Sequence, residues 1–442
     1  MTTLTEDFRL VEGRAWLARA EESVVGGVKK MNRLDDPAHF PIFFTRSAGP
    51  YTWDADGNRY LDLLAGKGAV LIGHAEPDVD GRVIAAIRSG SMPPLTPTEY
   101  PVTAERLLAA TGQQGRVKFF RTGSDGVSAA VRIARAATGR RAILTCGYHG
   151  WHEWFDERGM EGREPDGPAP VIDFHYDLDD LRELLDRTRP AAVVVTPEPA
   201  LFDDDFVPLA AEAAAAAGAL FILDEVKTGF RAGVRGFQSV VGVQPDLTVF
   251  GKALGNGYPV AALVGRADVM SAEQQIHISG TFETEKIGLA AAAATLDWYS
   301  ADPSTRQRYE AACAALANDV DEVFASRGVG ARFCAGPGNG LMIFSDDAWA
   351  VAFYRACARR GLLLYCFDDV NLMYAQVDLV PTIVAVIDAA VEEVSAALGP
   401  CPPLTTESVA RFLRYHLITG RNDHARGERV VRRVARHVGI AD

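Results

Sequence analysis

Between about Gly73 and about Trp298 the chain repeats one pattern, a short apolar run followed by a helix-compatible stretch. The runs that read as strands are Val117–Phe120, Ala142–Cys146, Val171–Phe174, Ala192–Thr196, Leu220–Leu223, Leu247–Phe250 and Val260–Val264. Helical periodicity falls between several of them, notably at Ser128–Thr138, Leu178–Arg187 and Pro208–Ala217. Buried strands alternating with helices predict an α/β fold with a mainly parallel, doubly wound sheet. Open sheets of this kind bind ligands beyond the carboxyl ends of their strands. The residues that follow each apolar run are therefore the ones to weigh for chemistry.

The flanks of this region read differently. Upstream, "YTWDADGNRYLDL" sets a turn signal between two β-prone runs, which predicts a hairpin of Tyr51–Trp53 and Tyr60–Leu63. Downstream of about Ser300 the chain becomes helix-rich and then α+β. The expected organisation has four parts: an N-terminal segment, 1–72, contributing to a small domain; a large ligand-binding domain, 73–300; a small C-terminal domain, 301–400; and an Arg- and His-bearing helical tail, 401–442.

Composition excludes several function classes. The net charge of −13 over 442 residues argues against a nucleic-acid partner. No apolar run approaches the roughly 18–20 residues that span a bilayer, and the polar N-terminus lacks the layout of a secretory signal. The expectation is a cytoplasmic protein with no membrane association. The six cysteines form no C-x-x-C pair and have no His at finger spacing, so reduced thiols and no metal site are expected.

Several strand ends carry chemistry-bearing residues. Asp224 directly follows "ALFIL", where a carboxylate serves as a helix cap, a metal ligand or the partner of a bound cation. No His lies nearby to complete a metal set, which favours the last role. "FFRTGSDG" places a Gly/Ser/Thr turn between a strand and a helix, and a helix N-terminus there suits a phosphate, although Thr122 or Ser124 in it also suits a simple cap. "TCGYHGWHEWF" gathers Tyr148, His149, Trp151 and His152 after another strand, where an aromatic ring either stacks on a planar ligand or packs on the sheet.

A planar cationic ring, a phosphate and a lysine together suggest pyridoxal 5′-phosphate, which needs a Schiff-base lysine, an acid at its pyridinium nitrogen and a phosphate cradle. Only seven of the 45 basic residues are lysines: Lys29, Lys30, Lys67, Lys118, Lys227, Lys252 and Lys286. Lys118 lies in a strand, and Lys286 follows glutamates with which it can pair. Lys67 and Lys227 lie in Gly-containing loops and stay open as candidates. Lys252 is best placed, at a strand end before Gly255 and Gly257.

These segments resemble the class III, fold-type I pyridoxal-phosphate aminotransferases. "FILDEVKTGFR" and "PDLTVFGKALGNGYPVAALVGR" are similar to the two core motifs of that family, "RTGSDG" to its phosphate turn and "GYHGW" to its ring-stacking loop. The similarity runs in order from about residue 20 to 300. A narrower resemblance, carried by "DEVKTG", "ISGTFETEKIGLAAAAATL" and "GLLLYCFDD", is to aminoglycoside-biosynthesis aminotransferases of the neomycin and gentamicin type. Glutamate-1-semialdehyde aminomutase is a further relative in pattern.

The resemblance implies a large domain with the parallel sheet, a smaller α+β domain built from both termini, and a homodimer with shared active sites. It assigns Lys252 to the Schiff base and Asp224 to the pyridinium nitrogen. Val226 and Tyr148 would lie on the two ring faces, and Gly123 and Ser124 at the phosphate. Thr281 would reach the phosphate of the neighbouring subunit, and His149 and Glu198 would join the cofactor pocket. Lys67, Lys227 and Glu283 are expected on the substrate side. The chain departs from the family in Thr122-Gly123-Ser124-Asp125, where S-G-T or S-G-A precedes Glu, and in Glu283–Lys286, which replace an Asn-Pro pattern.

The implied activity moves an amino group from glutamate or glutamine to an oxo-sugar, such as the 6′-oxo position of an aminoglycoside in antibiotic biosynthesis. The alternatives are a cofactor-dependent aminomutase, epimerase or eliminase (dehydratase) acting on an amino sugar, and a non-catalytic binding protein of the same fold.

Overall fold

A computed structural model describes residues 8–28, 39–92, 94–156, 171–366, 368–416 and 424–440. Lys29 and Lys30 lie outside them. The chain divides into two compact units, one of 77–303 with 417–437, the other of 1–76, 304–416 and 438–442.

The larger unit is built on a seven-stranded sheet. Its strands are β1 (Arg116–Phe120), β2 (Ile143–Cys146), β3 (Val171–Asp173), β4 (Ala192–Val195), β5 (Leu220–Glu225), β6 (Leu247–Phe250) and β7 (Ala261–Gly265). Their order across the sheet is β1-β7-β6-β5-β4-β2-β3. The β3-β2-β4-β5-β6 pairs are parallel, and β7 runs antiparallel to both its neighbours. Every apolar run singled out above is a strand. Strands β2, β4, β6 and β7 are buried along their whole length, as expected where both faces are covered.

Helix α1 (Gly123–Thr138) connects β1 to β2. It begins where the Thr122 side chain accepts from the Asp125 N–H and the Asp125 carboxylate accepts from the Thr122 N–H, a reciprocal cap worth about 1 kcal/mol. It stops at Gly139, whose φ of 66° a side chain would resist. Its buried face, Val127, Ala130, Val131, Ile133 and Ala134, packs into one core with Ile143, Val194, Ile222, Val249 and Leu263 of the sheet. Helix α2 (Leu178–Thr188) follows β3, α3 (Phe206–Ala216) follows β4, and α4 (Lys286–Ala301) packs against the helices Pro77–Arg88 and Glu99–Thr111. The last helix of the unit, α5 (His424–His437), comes from the C-terminal tail. Its Arg429 bonds Asp177 and Asp180 at the N-terminus of α2. Its Arg433 approaches Asp203 and Asp205 and lies over the rings of Phe202 and Phe206.

In the smaller unit the predicted hairpin is present. Tyr51–Asp54 and Arg59–Asp62 pair antiparallel. Asp54 closes the turn by accepting the N–H groups of Asp56 and Asn58. Phe44–Ala48 and Leu362–Leu363 complete a four-stranded sheet, so both ends of the chain build this unit. Ala331–Gly336 and Asn339–Phe344 form a separate antiparallel pair. Among the described residues no helix is long and apolar enough to cross a membrane.

Candidate active site

The parallel strands of the larger unit end together, and the sheet register fixes which residues meet there. Asp224 lies opposite Val249 and Glu225 opposite Phe250, so Lys252 leaves β6 just beyond the end of β5. Cys146 lies opposite Val195, so Thr196 and the Gly147–His149 turn leave β4 and β2 side by side.

Asp224 is 3% exposed and its charge is met by side chains from those neighbouring strand ends. Its Oδ2 lies 2.9 Å from His149 Nδ1 and 3.4 Å from the Thr196 hydroxyl. Its Oδ1 accepts the Val226 N–H at 3.1 Å. The Thr196 hydroxyl also reaches the Tyr148 carbonyl at 3.0 Å. The far nitrogen of the buried His149 ring, Nε2, has no hydrogen-bond partner among the described residues. Such an arrangement, with a hydrogen bond on each oxygen, holds the carboxylate in one orientation.

Lys252 opens a short 3₁₀ turn, Lys252–Gly255, with φ of 45°. A non-glycine residue held left-handed is strained, and such strain collects at functional sites. Val226 packs between this turn and the N-terminus of α1. A Cβ on Gly123 would come within 2.7 Å of both Val226 methyls, and one on Gly251 within 3.4 Å. The glycine at position 123 is thus what allows the first turn of α1, with its free N–H groups, to approach Val226.

This donor set fits pyridoxal phosphate: a buried carboxylate, a left-handed lysine on the adjacent strand, a helix N-terminus brought close by a glycine, and an exposed aromatic ring. Tyr148 is that ring, 56% exposed, with its neighbour Phe155 at its edge, 6.0 Å away. No cluster of three or more His, Cys, Asp or Glu suited to a metal occurs among the described residues.

The family pattern "Aminotransferase class-III" matches residues 33–153 and 195–398. The chain belongs to the class-III aminotransferases. It is 38% identical to the 2′-deamino-2′-hydroxyneamine transaminase of Streptomyces kanamyceticus, over 84% of this chain and 94% of that one. It is 37% identical to the glutamate-1-semialdehyde 2,1-aminomutase of Symbiobacterium thermophilum, over 59% and 66%. Among solved structures, the FumI protein of a Sphingopyxis species, in its PLP internal aldimine form, superposes with a TM-score of 0.79 at 27% identity, over 89% of this chain and 98% of that one. An omega-transaminase from Sphaerobacter thermophilus gives 0.77 at 25%, over 86% and 97%. The aminotransferase is a fold-type I enzyme and its cofactor is pyridoxal 5′-phosphate.

The remaining residues singled out from the sequence are placed as follows. Lys227 and Glu198 form one ion pair of 2.8 Å, with side chains 12% and 8% exposed. Glu283 accepts from Lys118 at 2.7 Å and from the Tyr100 hydroxyl at 3.1 Å. Thr281 is exposed, next to Phe282, which is 57% exposed. Lys67 belongs to the smaller unit, where it pairs with Asp368. Lys286 pairs with Glu99 at 3.0 Å rather than with the glutamates just before it, because Glu285 caps α4 and meets Arg121 at 2.6 Å.

Sequence reasoning missed Thr196 and Glu225. Thr196 directly follows β4, so reading strand-end hydroxyls as well as strand-end charges would have found it. Glu225 is fully buried, accepting from the Thr228 hydroxyl and from the N–H groups of Phe237 and Gln238.

Proposed function

We propose that this aminotransferase carries an amino group from glutamate or glutamine to an oxo-sugar, with the 6′-oxo position of an aminoglycoside intermediate in antibiotic biosynthesis as the favoured acceptor. The observation that carries this reading is the nearly end-to-end similarity, at 38% identity, to a transaminase named for 2′-deamino-2′-hydroxyneamine. The net charge of −13 suits a polyamine substrate in the same direction.

In this reading Asp224 faces the ring nitrogen of the cofactor, held in orientation by His149 and Thr196. Gly123 and Ser124 hold the phosphate at the positive end of α1. Val226 and Tyr148 confine the ring from its two faces. Bound there, pyridoxal phosphate supplies an electron sink for the bond broken at the substrate carbon. Lys252 would hold the resting cofactor, and its amine, when free, would move the proton at the substrate carbon. An arginine in its place stays protonated and does neither. Of the buried Lys227–Glu198 pair, Lys227 serves the substrate and Glu198 the cofactor in this reading. Glu283 is the larger unit's further substrate candidate, and Lys67 is the smaller unit's. The exposed Thr281–Phe282 corner serves the neighbouring subunit of a cytoplasmic homodimer, with Thr281 reaching its phosphate.

The similarity to glutamate-1-semialdehyde aminomutases favours one second reading, a mutase acting on an amino sugar. One experiment separates the two. The holoenzyme is mixed with single candidate amines and its visible absorption followed. A donor bleaches the band in one half-reaction that stops until an oxo-sugar is added. Continued product formation from an amino sugar with no donor would replace the transaminase with a mutase, epimerase or eliminase, which the product itself tells apart, and a band unmoved by every amine would sink all of these. Lys252→Ala is expected to lose the band and all turnover, and turnover that survives would remove Lys252 from its role.

A further inference from the structure

The loop that carries Tyr148 and His149 runs on into His152 and Trp154, which have no part in the chemistry above. His152 Nδ1 lies 2.7 Å from the Ser128 hydroxyl, and Trp154 Nε1 donates to the same oxygen at 2.9 Å. Ser128 stands on the first turns of α1, three residues beyond Asp125. The opposite edge of the imidazole, Nε2, faces Asp125 Oδ1 at 3.7 Å. The other oxygen of Asp125 is already engaged by the Thr122 N–H and hydroxyl.

An indole N–H only donates, so Ser128 accepts from Trp154 and keeps its own proton available for His152 Nδ1. In that arrangement the imidazole proton lies on Nε2, toward Asp125. One further contact ties the loop to the start of the helix, and a second braces the loop internally. A Cβ on Gly150 would come 2.3 Å from the Ser124 hydroxyl, and its φ is 98°, so the loop crosses directly over Ser124. The Trp154 ring stacks on His149, with centroids 6.3 Å apart and planes 29° apart.

We propose that His152, with Ser128 and Trp154, is a latch that positions the cofactor site. It fastens the 147–154 loop to the first turns of α1, and so holds Tyr148 and His149 at a set spacing from Gly123 and Ser124. Without it, the ring-facing residues and the phosphate-facing residues move independently. The latch rests on the assignment of Tyr148 and Ser124 to the cofactor given above.

The test uses the full-length apoenzyme and pyridoxal phosphate itself, titrated by quenching of tryptophan fluorescence, with the visible circular dichroism of the bound form as a second signal. Loss of the His152–Ser128 hydrogen bond and of the Asp125 contact in His152→Phe is expected to weaken binding about tenfold and to shrink the dichroic band. The melting temperature of the apoenzyme is expected to stay put. Ser128→Ala, which removes the Trp154 bond as well, should act in the same direction, the double variant should be little worse than Ser128→Ala, and His152→Asn, whose amide oxygen can still accept from Ser128, should recover part of the loss of His152→Phe. Wild-type affinity and dichroism in both His152→Phe and Ser128→Ala would overturn the latch, as would losses matched by an equal fall in apoenzyme stability. If His152→Phe does not fold, Ser128→Ala decides alone. Tyr148→Ala and Ser124→Ala separate the two levels. If they weaken binding and the latch variants do not, only the latch is wrong. If they too are silent, the assignment beneath it fails and the latch with it.

Discussion

Asp224 and Glu225 are consecutive on β5, and both are carboxylates withdrawn from water, at 3% and 0% exposure. Successive strand residues face opposite ways, and the two meet different company. Asp224 is met by side chains from other strand ends, His149 and Thr196, beside the left-handed lysine turn. Glu225 is met by the Thr228 hydroxyl and two main-chain N–H groups a dozen residues on. It pins the Gly229–Gly236 segment against the sheet. Burial alone does not separate a reactive carboxylate from a structural one; the kind of partner does. Burial outweighs those hydrogen bonds and pushes the Glu225 carboxyl up to about 7.

The comparison breaks most decisively at Asp224. If Asp224 faces the cofactor nitrogen as proposed, Asp224→Asn removes that charge, and turnover should fall roughly 10²–10³-fold with little change in melting temperature. A large stability loss with normal turnover would put Asp224 in the structural class with Glu225. Next is Gly236→Ala, because a Cβ there would sit 2.6 Å from a Glu225 carboxylate oxygen on a backbone with φ of 80°. A loss of about 2–4 kcal/mol in denaturant unfolding is expected, with kcat of the folded fraction unchanged. The smallest effect is a pH dependence. The folded chain keeps the Glu225 proton up to about 7, whereas the unfolded chain releases it near 4.5. Unfolding free energy should therefore decline as pH rises through that window, and the contribution should be fully present below it. Glu225→Gln should flatten the slope; an unchanged slope assigns it to other groups.

Much of this was legible beforehand because it rests on local pattern. Each buried strand is a short apolar run, and the hairpin turn is written in "DADGN", where Asp54 accepts the N–H groups that follow it. The resemblance singled out Asp224, Lys252, Gly123 and Tyr148 by motif, and the fold brings Asp224 and Lys252 to adjacent strand ends. What periodicity does not encode is which distant charges meet. Lys227 finds Glu198 across two strand ends, Lys118 reaches Glu283 from inside β1, and Lys286 turns to Glu99. Each of these is a tertiary pairing, decided only when the sheet order is known. The tail was expected to be helical, but its division was not visible: Thr406–His416 joins one unit and His424–His437 the other.

That division has a consequence for how the protein is made. Helix α5 carries the arginines that answer the acidic starts of α2 and α3, yet the whole of 304–416, which belongs to the other unit, is synthesised before it. A nascent chain emerging from the ribosome therefore holds its larger unit without this basic clasp until the second unit's chain has passed. A message cut short between these segments would release a product with both units' cores written out and Asp177, Asp180, Asp203 and Asp205 left without their arginine partners on α5.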